Sequence, residues 1–161
     1  MLRAADLALL RLLRTRGHGR AVERIVGLYS HAGEHGALWH ALALLGLLAD
    51  PRSHATYLRS IRCVLAAYAA NTAIKFLFRR ARPVLEELPW LAPTISGHSY
   101  PSAHATMSFA AARVLSDALP AAQLYAAATA MAASRPYLGV HYPTDVMAGA
   151  ALGEAMGRVA P

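Results

Sequence analysis

The chain has 161 residues, of which 56% are hydrophobic and 16% charged. Ordinary soluble domains carry about 25% charged residues, so this balance leans toward a membrane-associated protein, and the length fits one domain over 1–161. Lys+Arg 16 against Asp+Glu 9 gives a formal charge of +7, with Lys75 the only lysine; the excess points to a phosphate, nucleic acid or anionic lipid as partner, or to a plain bias toward arginine. The single cysteine, Cys63, excludes an intramolecular disulfide and reads as a small core residue. No zinc-ligand spacing or secretory signal is evident.

In chain order, residues 2–14 read as an amphipathic helix, with Leu2, Ala5, Leu9, Leu12 and Leu13 on one side and Arg3, Arg11 and Arg14 on the other. Such a helix within 1–20 can lie in a membrane interface or on the surface of a soluble bundle. Gly17-His18-Gly19 ends it. A second helical segment spans about 21–49, and a third runs from about 56 to 80, stopping before Arg82-Pro83. Residues 83–101 read as a loop, and three more helices cover roughly 102–118, 120–134 and 144–159. None is a clean span: outside the 83–101 loop the longest uncharged stretch, Ala118 to Ser134, has 17 residues, against about 20 needed. The expectation is an all-α protein: a compact bundle of about five main helices plus the N-terminal amphipathic helix, integral to a membrane.

Three short clusters next to helix ends carry chemistry. In the first, Lys75 and Arg82 stand seven apart, two helical turns, and can share a face. Two cations there can clamp an anion, or simply flank a membrane. In the second, Pro101-Ser102-Ala103-His104, Ser102 is a good N-cap and His104 lies in the first turn. A helix N-terminus offers free N–H groups to a phosphate, although an ordinary cap with an incidental histidine has the same sequence. In the third, Arg135 ends one helix, and Asp145 follows His141 by four residues at the start of the next. A carboxylate so placed can fix one ring nitrogen and leave the other free to attack phosphorus; a structural histidine beside a capping acid is the plainer alternative. His31, Glu34 and His35, near the start of an apolar stretch, and His98, before the second cluster, could line a site mouth.

Taken together, the clusters resemble the signature of the type 2 phosphatidic acid phosphatase superfamily, which also contains bacterial acid phosphatases and vanadium haloperoxidases: K-x6-RP, then PSGH, then SR-x5-H-x3-D. Lys75, Arg82, Pro83, Pro101, Ser102, His104, Ser134, Arg135, His141 and Asp145 agree at the family's spacings over 75–145. One position departs: Ala103 stands where the family has glycine. Alanine keeps the backbone donor, so fine geometry is in question there.

The resemblance implies a metal-independent phosphatase working through a phosphohistidine. His141 is then the nucleophile, Asp145 its orienting partner and His104 the general acid. Lys75, Arg82, Ser102, Arg135 and the N–H groups of Ala103 and His104 bind the phosphoryl oxygens. Asp145 is the only carboxylate in these clusters, whereas Mg²⁺ sites want several, so no metal and no cofactor are expected. The expected partners are a lipid phosphate substrate and the membrane, with no nucleic acid. Phe76, Phe78, Trp90 and Leu91 are candidates to meet an acyl or prenyl chain.

The short, Ala- and Arg-rich chain is similar to small actinobacterial membrane phosphatases, one group of which acts on decaprenylphosphoryl-phosphoribose. Phosphatidic acid, phosphatidylglycerophosphate and undecaprenyl pyrophosphate are the other candidate substrates. A soluble acid phosphatase, a vanadate-dependent peroxidase and a non-catalytic binder of anionic lipid are the alternatives. Alternating helix directions put the N-terminal arginines 3, 11, 14, 16, 20 and 24 on the site side, against Arg52, Arg59, Arg62 and Arg158 on the far side. The positive-inside rule then places the site on the cytoplasmic face of a multi-pass protein.

Overall fold

The computed structural model describes residues 2–160, with side chains from residue 4 onward; the faces expected for the Leu2 and Arg3 side chains lie outside the described residues. Seven α-helices follow in order: α1 Leu2–Thr15, α2 Arg20–Ala32, α3 Ala37–Ala49, α4 His54–Phe78, α5 Ala103–Leu115, α6 Ala121–Tyr137 and α7 Pro143–Val159. Among the described residues no strand forms; a single antiparallel bridge joins Ala81 and His98.

The count exceeds the expected six because the segment 21–49 is two helices. Gly33 leads into a 3-10 turn, Glu34–Gly36, in which His35 has φ 52° and Gly36 φ 75°. Positive φ costs a non-glycine residue strain, and it turns the chain out of the α2 axis. α4 stops at Phe78 with Arg79 in the left-handed conformation, its N–H bonded to the Lys75 carbonyl. α6 runs past Ser134 and carries Pro136 in its last turn.

α5 sits at the centre, with α4, α6 and α7 around it. Its small residues Ala105, Ala110, Ala111 and Ala112 are fully buried, so neighbouring helices approach closely. On α7, Gly149, Gly153 and Gly157 recur every fourth residue and face α5. A larger cluster of Trp39, Tyr57, Val64, Met107, Leu115 and Leu124 ties α3, α4 and α6 to the same helix. Cys63 is buried in a neighbouring cluster, as its apolar surroundings predict.

α1 docks through a polar stripe. Asp6, Leu10 and Arg14 are buried, while Leu9 and Leu12 are open. The apolar side predicted for this helix therefore largely faces outward, as an interfacial helix requires. Arg14, placed by periodicity on the solvent side, instead reaches inward and donates to the carbonyls of Pro89 and Tyr137. Leu44, Leu45 and Leu48 of α3 and Leu58, Leu65, Phe76, Leu77 and Phe78 of α4 are also exposed.

Candidate active site

α4 delivers Lys75 to one end of the bundle. α5 starts there, α6 ends there and α7 starts there, so the three sequence clusters meet around a cavity of about 300 Å³. Lys75, Arg82, Ala103, His104, Arg135 and His141 line it. Ser102 does not: it is fully buried, caps α5 and turns its hydroxyl toward the Ala105 N–H. Asp145 lies one layer back, behind His141.

The cations are fastened before any ligand is considered. The Lys75 ammonium donates to the His98 carbonyl at 3.2 Å. Arg82 donates from Nε to the Ser96 carbonyl at 2.8 Å and from Nη1 to the Val140 carbonyl at 2.7 Å. Arg135 is held by the Ser30 hydroxyl. Lysine has three N–H donors and arginine five, so each cation keeps donors for an anion. Burial pulls Arg82 down to about 10, which leaves it charged at neutral pH.

His141 accepts a hydrogen bond from Arg82 Nη1 at its Nε2, 3.2 Å away. That assigns the proton of the neutral ring to Nδ1, which faces Asp145 Oδ2 at 3.6 Å. The expected His141–Asp145 hydrogen bond is therefore slack here, because both carboxylate oxygens have other donors. Oδ2 accepts from the Tyr142 N–H at 2.9 Å and Oδ1 from Arg80 at 2.7 Å. Burial, then the charges of Arg82, Arg135 and Lys75, push the His141 imidazole well below its ordinary range. His104 Nε2 donates to the Ser30 carbonyl at 3.1 Å, which leaves Nδ1 as its free nitrogen.

Of the other sequence candidates, Glu34, His35 and His98 line the cavity, and His31 does not. His31 is exposed and paired with Glu34 at 3.2 Å. His35 Nδ1 meets the Tyr68 hydroxyl at 3.1 Å. Phe76 also reaches the cavity, edge-on to His98. Phe78, Trp90 and Leu91 do not line the cavity but are exposed beside the loop: Phe78 leans on Tyr100, Trp90 donates to the Pro83 carbonyl, and the Leu91 N–H bonds the Leu138 carbonyl.

Sequence reasoning missed four contributors. Ser30 holds both Arg135 and His104. Ser99, fully buried, bonds the carbonyls of Arg80 and Ala81 and locks the loop to the end of α4. Arg80 reaches past Asp145 to Asp6 of α1, with 2.7 Å to each carboxylate. Burial pushes the Asp6 carboxyl up, but hydrogen bonds from Thr144 and Arg80 outweigh it and hold the group below its usual range. The only sequence signal for these residues was an extra arginine inside K-x6-RP.

A profile of the PAP2 superfamily matches residues 56–161. The chain belongs to the PAP2 superfamily. Its similarity to PAP2 relatives extends further toward the N-terminus. It is 42% identical over 130 residues, 81% of this chain and 73% of the relative, to decaprenylphosphoryl-5-phosphoribose phosphatase of Mycobacterium tuberculosis. It is 44% identical over 122 residues, 74% of this chain and 67% of the relative, to the protein of that name in Mycolicibacterium smegmatis. Its fold is similar to Aquifex aeolicus LpxE, with TM-score 0.82 and 25% identity over 96% of this chain and 93% of the other. It is also similar to the transmembrane PAP2-type phosphatidylglycerolphosphate phosphatase of Bacillus subtilis, with TM-score 0.78 and 22% identity over 99% and 84%.

Among the described residues, one helical stretch, Pro51–Phe78, is long and apolar enough to cross a bilayer, and little of it is buried. The open leucines of α3 and α4 lie on the same apolar exterior.

Proposed function

We propose that this chain hydrolyses a phosphomonoester carried by a membrane lipid, through a phosphohistidine on His141. The observation that carries the reading is His141 itself: a buried imidazole beside a cavity ringed by cations, whose unprotonated Nε2 accepts from Arg82 and is freed for attack when the Arg82 donor turns to a phosphoryl oxygen. Lys75, Arg82, Arg135 and the N–H groups of Ala103 and His104 take the phosphoryl oxygens. Their charge stabilises the transferring group. The Ser102 hydroxyl acts indirectly, by capping the helix that presents those N–H groups. Asp145 orients His141 and stabilises the imidazolium; catalytic hydrogen bonds of this kind often tighten only in the substrate complex. With Nε2–H committed to the Ser30 carbonyl, His104 carries no proton on Nδ1 while neutral; it takes one there from a monoanionic phosphate ester, becoming the imidazolium, and passes it to the leaving alkoxide.

The wall of Glu34, His35 and Tyr68 offers hydroxyl partners at the leaving-group side, and Phe76 and Ile95 offer apolar surface. This suits a phosphorylated sugar on a prenyl lipid, the substrate named for the mycobacterial relatives.

His104→Ala tests the acid. Loss should be about 10²–10⁴-fold on a lipid phosphate, whose alkoxide leaves poorly, and small on p-nitrophenyl phosphate, whose phenolate needs no proton. Equal losses on both substrates would remove His104 from the role.

We propose further that the chain is multi-pass and that the site faces the cytoplasm. α1 docks at the site end through Asp6 and Arg14, and the six N-terminal arginines travel with it and the start of α2. A cysteine introduced by Glu87→Cys, in the exposed site-side loop, should resist a membrane-impermeant thiol reagent in intact cells. Buried Cys63 gives little background. Rapid labelling would put the site outside.

A further inference from the structure

We infer that Arg80 and Asp6 are positioning residues for the catalytic pair, so that α1, at the other end of the chain, completes the active site. The inference rests on the role proposed above for Asp145. Arg80 forms a two-pronged bridge: Nη1 donates to Asp145 Oδ1 and Nη2 to Asp6 Oδ2, each at 2.7 Å. Its guanidinium also lies 4.1 Å from the centre of the Tyr142 ring, which removes further freedom. Asp6 is fixed in turn: Oδ1 accepts the Thr144 N–H at 3.0 Å, and Oδ2 accepts the Thr144 hydroxyl.

Both carboxylates are nearly or fully buried, Asp6 at 4% and Asp145 at 0% exposure. Two buried carboxylates on one guanidinium form a unit whose geometry is set by all three members, because a charge buried without its partner is costly. The planar fork of arginine satisfies two acids at fixed angles, which an ammonium cannot do. Arg80 does not line the phosphate cavity. Its effect on the reaction must pass through the orientation of Asp145, and from there to His141 Nδ1. It also turns Asp145 Oδ1 away from the ring and leaves Oδ2 as the oxygen facing Nδ1 at 3.6 Å.

The test uses the full-length chain in detergent, with Asp6→Asn, Arg80→Gln, Arg80→Lys and the double variant D6N/R80Q. kcat and KM are read on a lipid phosphate, and folding by thermal melting. Positioning predicts that Arg80→Gln lowers kcat about 10–100-fold with KM within about twofold, since the cations that hold phosphate are untouched. Arg80→Lys should recover part of the loss. Asp6→Asn should lower kcat by itself but add little in the Arg80→Gln background, because it acts through Arg80.

A kcat within twofold of the parent for Arg80→Gln or Asp6→Asn, or losses that multiply in the double variant, would overturn the inference. If Arg80→Gln does not fold, Arg80→Lys and Asp6→Asn carry the same decision. Trapping of phosphate on His141 in the parent separates the two layers. Its absence there sinks the mechanism and the inference together; its presence with unchanged variants sinks the inference alone.

Discussion

Replacing His141 with alanine is expected to abolish turnover, by about four orders of magnitude or more, while the protein still folds. Loss of a covalent nucleophile removes the reaction path itself, and effects of this size follow such changes in other covalent enzymes. The side chain is buried, but its main protein contact is one hydrogen bond accepted from Arg82, which keeps its bonds to Ser96 and Val140. The cradle should therefore survive the substitution. Acid-labile, base-stable label from ³²P-substrate should appear on His141 in the parent and on nothing in the variant.

The surroundings also set a pH expectation. Burial and three cations lower the imidazole from its ordinary 6.5. A base with a lowered pKa stays unprotonated as pH falls through 6.5 and is lost only below its own value. The acid limb of kcat/KM, which reports the free enzyme, should accordingly lie below 6.5. Full activity in the alanine variant would end the proposal.

Gly153→Ala is expected to destabilise the fold by about 3 kcal/mol, the upper end for overpacking, and to cut activity about 100-fold. A Cβ at Gly153 would stand 2.1 Å from the Thr106 carbonyl oxygen and 2.9 Å from the Ala110 nitrogen. Both are backbone atoms of α5, so no side chain can swing aside, and α5 and α7 must separate. α5 carries His104, while α7 carries Asp145 and follows directly on His141. A 1 Å error in such a constellation can cost about 10²-fold. Gly27→Ala is the control. Nothing lies within 4 Å of its added Cβ, so inside a helix it should be neutral or stabilise by about 0.5–1 kcal/mol. Thermal inactivation in detergent reads both variants, and a Gly153→Ala protein as stable as the parent would refute the close α5–α7 contact.

The cavity-lining cations and histidines were legible because each sits in a short run with fixed spacing at a helix end. His141 and Asp145 are brought near one another by local geometry, but Lys75 and Arg82 do not share the helix face that their spacing predicts: α4 ends at Phe78, Arg79 turns the chain, and Arg82 is held by the Ser96 and Val140 carbonyls. Arg80–Asp6 and Arg135–Ser30 were not legible: they join residues 74 and 105 apart, and nothing local marks either partner. The α2–α3 break was hidden for another reason. Gly33 and Gly36 are both compatible with a continuing helix, and only the positive φ at His35 and Gly36 shows the turn. Periodicity identified the apolar side of α1 but not which side docks. Asp6 and Arg14 are buried because their bonding partners lie in segments far along the chain.

The fastening of Lys75, Arg82 and Arg135 to fixed carbonyls and a hydroxyl has a consequence for the end of the reaction cycle. A cradle shaped in advance loses little freedom when a tetrahedral oxyanion enters, and it is no less ready for the phosphate that water releases from His141. Substrate and product share the group that the cradle grips, so inorganic phosphate should compete directly with the lipid. Turnover would then slow as phosphate accumulates on the site's side of the membrane, with the preassembled cations acting as a built-in brake.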